Sequence, residues 1–136
     1  MSNYDELISR VKELSVIESI GGLLAWDQET FMPPKGAQLR SESLAYLSKT
    51  AHSALINPEM GSLLDSLENA NLTDIESANV REIQRSYDKA TKKPTEFVEE
   101  KARHTSKSIV SWTEAREKND FSIFRDDLAE MIELNR

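Results

Sequence analysis

Apolar residues recur at three- and four-residue spacing from the start of the chain: Tyr4, Leu7, Ile8, Val11, Leu14, Ile17, Ile20 and Leu24. That period is the signature of an amphipathic helix. Asn3 with Glu6 suits its N-terminal capping box. Pro33-Pro34 must end it, because each ring removes an N–H donor and clashes with the preceding turn. Met32, lying before a proline, is pushed out of helical space. A first helix running to about Thr30 is therefore predicted, and Gly21-Gly22 within it predicts a kink or a close helix crossing.

The pattern then repeats with short connections. A second helix follows Lys35-Gly36 with Leu39, Leu44, Leu47, Ala51 and Leu55 on one face. Asn57-Pro58-Glu59 supplies an N-cap, a proline at the first helical position and an acid in the first turn of a short third helix. Its face carries Met60, Leu63, Leu64 and Leu67. Thr73 with Glu76 is a further capping box and opens a fourth helix to about Lys92, with a thin stripe of Ile75, Val80, Ile83, Tyr87 and Ala90. A fifth helix begins at Pro94-Thr95 and runs to about Lys118, its seam Phe97, Val98, Ala102, Thr105, Ile109, Trp112 and Ala115 or Arg116. The short Lys92-Lys93-Pro94 turn predicts that helices four and five form a long antiparallel hairpin. Asp120 caps a sixth helix with Phe121, Phe124, Leu128, Met131 and Ile132 or Leu134. The prediction is a single all-α domain of about six helices across residues 1–136.

Composition narrows the function. The 136 residues include only four glycines and four prolines, in keeping with a few long helices. A net charge of −7 disfavours binding to nucleic acid or to an anionic membrane surface. No cysteine is present, which removes disulfides and thiolate chemistry. The polar, acidic start does not read as a targeting peptide, and no apolar run approaches a membrane span, so a cytoplasmic protein is expected.

Catalytic patterns are missing. His52 and His104 lie on different predicted helices, neither has a second histidine four residues away, and no His-Glu-x-x-His occurs. Glu99 and Glu100 precede His104, but two ligands seldom make a metal site. The neighbouring acids Glu99-Glu100 and Asp126-Asp127 point about 100° apart on a helix and do not face each other as a dyad. No Gly-x-Ser-x-Gly elbow is present, and Lys35-Gly36 reads as an ordinary helix start. Trp26 and Trp112 read as core or inter-domain contacts. No catalytic or metal-ligating residue is assigned. The polar cluster at the end of helix one, Trp26, Asp27 and Gln28, reads as a junction that pins several elements together.

That same stretch carries a family likeness. Leu24-Ala25-Trp26-Asp27-Gln28-Glu29 with Met32-Pro33-Pro34-Lys35-Gly36-Ala37 resembles the N-terminal signature of the thermostable (Taq-type) zinc metallocarboxypeptidases. Arg40, Leu47-Ser48 and Ala51-His52 continue it, as do Val80-Arg81-Glu82, Tyr87-Asp88, Trp112-Thr113-Glu114-Ala115-Arg116 and Asn119-Asp120-Phe121. The resemblance implies a mostly helical, cytosolic, commonly homodimeric enzyme that removes C-terminal amino acids. Its zinc is held by the histidines of His-Glu-x-x-His and a downstream glutamate, with the motif's own glutamate as general base. None of those residues is present here. The resemblance thus implies an N-terminal domain that walls the substrate groove, inactive alone and holding no cofactor itself, zinc belonging to the parent. Its expected partners are the catalytic remainder and further copies of itself, with peptide substrate bound only in the parent. Helix six is still in phase at Leu134, as expected of a piece of a longer protein. Trp26, Asp27, Gln28 and Arg40 are the candidate groove or junction residues. A stand-alone helical interaction or regulatory module without catalysis is the alternative.

Overall fold

The computed structural model describes residues 2–136 and consists of six α-helices joined by short connections. These are α1 (Asn3–Thr30), α2 (Ala37–Leu55), α3 (Pro58–Leu67), α4 (Asp74–Ala90), α5 (Thr95–Lys118) and α6 (Ser122–Leu134), with a single 3-10 turn at Pro34–Gly36. Among the described residues, no helix is long and apolar enough to cross a membrane.

Local chemistry explains most of the boundaries. The Asn57 side chain accepts from the Glu59 amide, and Thr73 with Glu76 forms the expected capping box. At α1 the cap is displaced by one residue: Ser2 and Asp5, not Asn3 and Glu6, make the reciprocal bonds. Asn3 instead donates to the Ser66 hydroxyl of α3 at 2.9 Å. At the far end of α1, the Asp27 carbonyl accepts from both Phe31 N (3.0 Å) and Met32 N (2.9 Å), closing the last turn before the proline pair. Asn119 terminates α5 in the left-handed region, at φ 51°, where asparagine is tolerated better than other residues carrying a Cβ. The Asp120 carboxylate then accepts from the Ser122 amide and hydroxyl and starts α6.

The core forms where α1 crosses α3. Leu7 and Leu14 interlock with Met60, Leu64 and Leu67, and Tyr4, Val11, Val80, Ile83 and Tyr87 close over them. At Gly61 α3 passes so near α4 that a Cβ would sit 2.6 Å from the Tyr87 hydroxyl oxygen. Gly21 and Gly22 are different: nothing lies within 4 Å of a Cβ built on either, and α1 runs through them without a break. The close crossing anticipated there does not exist.

The most extensive helix pair is α2 with α5, followed by α1 with α2 and α5 with α6. The buried residues of the first pair include the small Ser41 and Ala45 on α2 and Ser106 and Ala115 on α5, alongside His52 and His104. The expected α4–α5 hairpin is not a packed pair, since α4 rests on α3 and α2 while α5 turns away to α2 and α6. His52 occupies the branch point. Its Nε2 donates to the Ala90 carbonyl at the end of α4, and its Nδ1 accepts from the Thr95 hydroxyl at the start of α5, both at 3.0 Å. A carbonyl can only accept, so these partners fix the tautomer. Several residues assigned to inward seams point outward: Ile20, Leu39, Ile75, Trp112, Phe121 and Ile132 are exposed.

Candidate functional site at the end of helix one

The four candidate residues converge on the junction of α1 with α2 and α5, but they do different things there. The Arg40 guanidinium reaches back from the first turns of α2 across the Pro-Pro bend. It donates to Asp27 Oδ2 at 2.6 Å and to the Leu24 carbonyl at 2.5 Å. Arg40 is mostly buried and Asp27 about two-thirds buried. This is a charge-assisted pair that also satisfies a helix carbonyl and links α1 to α2 across the bend.

Gln28 faces the other neighbour. Its amide donates to the Ser106 carbonyl at 2.8 Å, and the Ser106 hydroxyl donates back to Gln28 Oε1 at 2.8 Å. A buried serine and a glutamine thus satisfy one another across the α1–α5 contact, at no cost in unpaired polar groups. Beside Gln28 a groove of about 310 Å³ opens between Met32, Pro34 and Ala37 on one side and Ile109, Val110 and Thr113 on the other. Trp26 is the member left outside: it is 55% exposed and stacks edge-on against Phe31, ring centres 5.6 Å apart. Trp26 continues an apolar stripe of Val16, Ile20 and Leu23 on the outer side of α1. This helix is apolar on both its core face and its outer face.

A second polar cluster locks α2 to α5. Arg103 pairs with Glu42 across the interface and with Glu99 and Glu100 on its own helix, and Lys49 reaches Glu99 at 3.0 Å. Hydrogen bonding to Glu42 chiefly raises the Arg103 pKa, and bonding to Lys49 chiefly lowers that of Glu99. Glu100, the acid nearest to His104 at helical spacing, is therefore engaged by arginine. His104 meets α6 instead, where it forms with Asp127 and Glu130 the single three-residue group among the described residues that could hold a metal. Sequence spacing gave no signal of that group, because its members come from two helices.

The chain matches the family model described as Carboxypeptidase Taq (M32) metallopeptidase over residues 6–136. It belongs to this family. Thermostable carboxypeptidase 1 of Thermus thermophilus is 30% identical over 98% of this chain, and the Pyrococcus furiosus protein of the same name is 32% identical over 95%. The match spans only 27% and 26% of those relatives, so the chain corresponds to about a quarter of each. The solved structure of BsuCP superposes with a TM-score of 0.95 at 28% identity, covering 99% of this chain and 28% of the other. The Pyrococcus furiosus carboxypeptidase structure gives 0.73 at 31% identity, covering 98% and 27%.

A metallopeptidase family implies a metal in the parent. The residues of this chain do not fit the family's catalytic ligand set. No His-Glu-x-x-His occurs in the sequence, and His104, Asp127 and Glu130 have neither that spacing nor a glutamate placed between two histidines.

Proposed function

We propose that this chain is the N-terminal helical part of a cytoplasmic, homo-oligomeric zinc carboxypeptidase that releases C-terminal amino acids from peptides. In that role the chain walls the substrate groove and braces the catalytic remainder, and it carries no catalytic group. The match of residues 6–136 to the metallopeptidase family, spanning about a quarter of its relatives, is the observation that carries this reading. The outer apolar stripe of α1 supports it. Val16, Ile20, Leu23 and Trp26 are spaced to contact a partner on the side opposite the core, as expected of a helix sandwiched between two bodies. Asp27, Arg40 and Gln28 then act as the clamp that holds α1 at the angle the partner requires.

Peptide hydrolysis tests the reading. The chain alone, supplied with zinc, is expected to release no C-terminal residue from a blocked dipeptide. Mixed with a relative's carboxypeptidase lacking its matching first quarter, it is expected to restore release. Failure to restore activity in a mixture shown to be folded would favour a stand-alone interaction module.

A further inference from the structure

We infer that His104, Asp127 and Glu130 form a site for a zinc-like divalent ion that staples α6 to α5. His104 is only 4% exposed. Its Nε2 lies 2.8 Å from the Asp127 carbonyl oxygen, which can only accept, so Nε2 carries a hydrogen, and in the neutral ring that metal binding requires Nδ1 presents the lone pair. That lone pair faces Glu130 Oε2 at 3.6 Å. The separation exceeds hydrogen-bond reach. It does suit two donors sharing a metal: ligand atoms about 2.1 Å from a tetrahedral ion stand roughly 3.4 Å apart.

Asp127 completes the set. It lies three residues before Glu130 on α6 and therefore on the same helix face. One donor atom from each of the three residues falls within 4.8 Å of the others. The supporting contacts are those of a metal site. The histidine gives its Nε2–H to a backbone carbonyl, which orients the ring. The Ser111 hydroxyl donates to Asp127 Oδ2 and orients that carboxylate. One imidazole with two carboxylates favours zinc-type ions over magnesium or calcium, which prefer all-oxygen shells. Glu130 is 67% exposed, so the fourth position opens to water. The fold also gives such a staple a purpose, since α6 has no fully buried residue and packs chiefly on α5.

The test is calorimetric titration of the metal-free chain with zinc alone near neutral pH, with magnesium in parallel. Glu130→Gln removes a ligand at an exposed position and preserves the fold, and Glu133→Gln is the control on the same helix. Expected are one zinc bound per chain, at least about tenfold weaker binding in Glu130→Gln, unchanged binding in Glu133→Gln and no magnesium response at matched concentration. Zinc should shift the His104 ring signals in the NMR spectrum while leaving those of His52 in place, and should raise the melting midpoint only where Glu130 is intact. Equal zinc affinity in Glu130→Gln would overturn the inference. So would a His104 ring that is protonated, ion-paired to Glu130 and indifferent to zinc.

Discussion

Replacing Arg40 by methionine removes the guanidinium while keeping most of the aliphatic stem. Two hydrogen bonds are lost, one to the Asp27 carboxylate and one to the Leu24 carbonyl. Hydrogen bonds to charged groups contribute about 1.5–3 kcal/mol and neutral ones about 1 kcal/mol. Asp27 is about one-third exposed and can recover water once its partner is gone, which lowers the cost below that of breaking a fully buried pair. The expected destabilisation is about 2 kcal/mol, or roughly 8 °C in melting midpoint for a domain of this size. Asp27→Asn keeps the shape and weakens the pair, at about 1 kcal/mol. If the two residues act through each other, the double variant should lose about 2 kcal/mol, well short of the 3 that simple addition gives. Urea unfolding followed by far-UV circular dichroism measures all four corners of the cycle. Additivity within about 0.3 kcal/mol would refute the clamp and leave Asp27 and Arg40 free for another task.

Other perturbations have equally definite outcomes. Gly61→Ala should cost about 1–2 kcal/mol because its Cβ meets the Tyr87 hydroxyl, and Tyr87→Phe in the same chain should recover part of that loss in thermal melts. Gly21→Ala with Gly22→Ala should instead stabilise the chain by roughly 1–2 kcal/mol, since both positions are helical and open, and a lower midpoint would show that α1 needs its glycines. Asp120 and Asp5 have pKa values lowered chiefly by side-chain hydrogen bonds from Ser122 and Ser2. Their stabilisation is therefore present above the unfolded carboxylate value near 4 and lost as pH falls through the lower folded values. Asp120→Asn should flatten that acid limb of the midpoint-against-pH curve. Light scattering at high concentration should detect self-association of the isolated chain through the α1 stripe, reduced in Leu23→Asp, and a strict monomer would argue against the stripe as a contact surface.

Much of the fold was legible because helices are local. Asn57, Thr73 with Glu76, and the Pro33-Pro34 stop act within a few residues of themselves, and each does what its chemistry requires. The cap at α1 lies at Ser2 and Asp5 and not at the expected Asn3 and Glu6; the two pairs share the same three-residue spacing, so spacing alone does not separate them. The α4–α5 pairing failed for a different reason. A short turn limits the distance between two helix ends but does not decide which helix each one packs on. Here α5 packs on α2 and α6, and the small residues buried on α2 and α5 leave a weak imprint in a hydrophobic pattern.

The candidate site divides in the same way. The Trp26-Asp27-Gln28 stretch stood out as a polar cluster just before a proline pair. Arg40 was named beside it, but its pairing with Asp27 across the bend was not legible, and Ser106 gave no signal because it comes from another helix. His104 was weighed against the acids on its own helix, whereas its neighbours come from α6. The double apolar face of α1 was present in the sequence as Val16, Ile20, Leu23 and Trp26. It was readable as an outer stripe only once the core face had been fixed by Leu7 and Leu14.

The most direct test of the central claim is binding of this chain to a family carboxypeptidase lacking the matching quarter, followed through Trp26 fluorescence and calorimetry. A one-to-one complex is expected, with Trp26 shielded from quencher and affinity at least about tenfold lower in Leu23→Asp, since a charge would then be buried without a partner. No complex between two folded partners, or an affinity indifferent to Leu23→Asp, would contradict it.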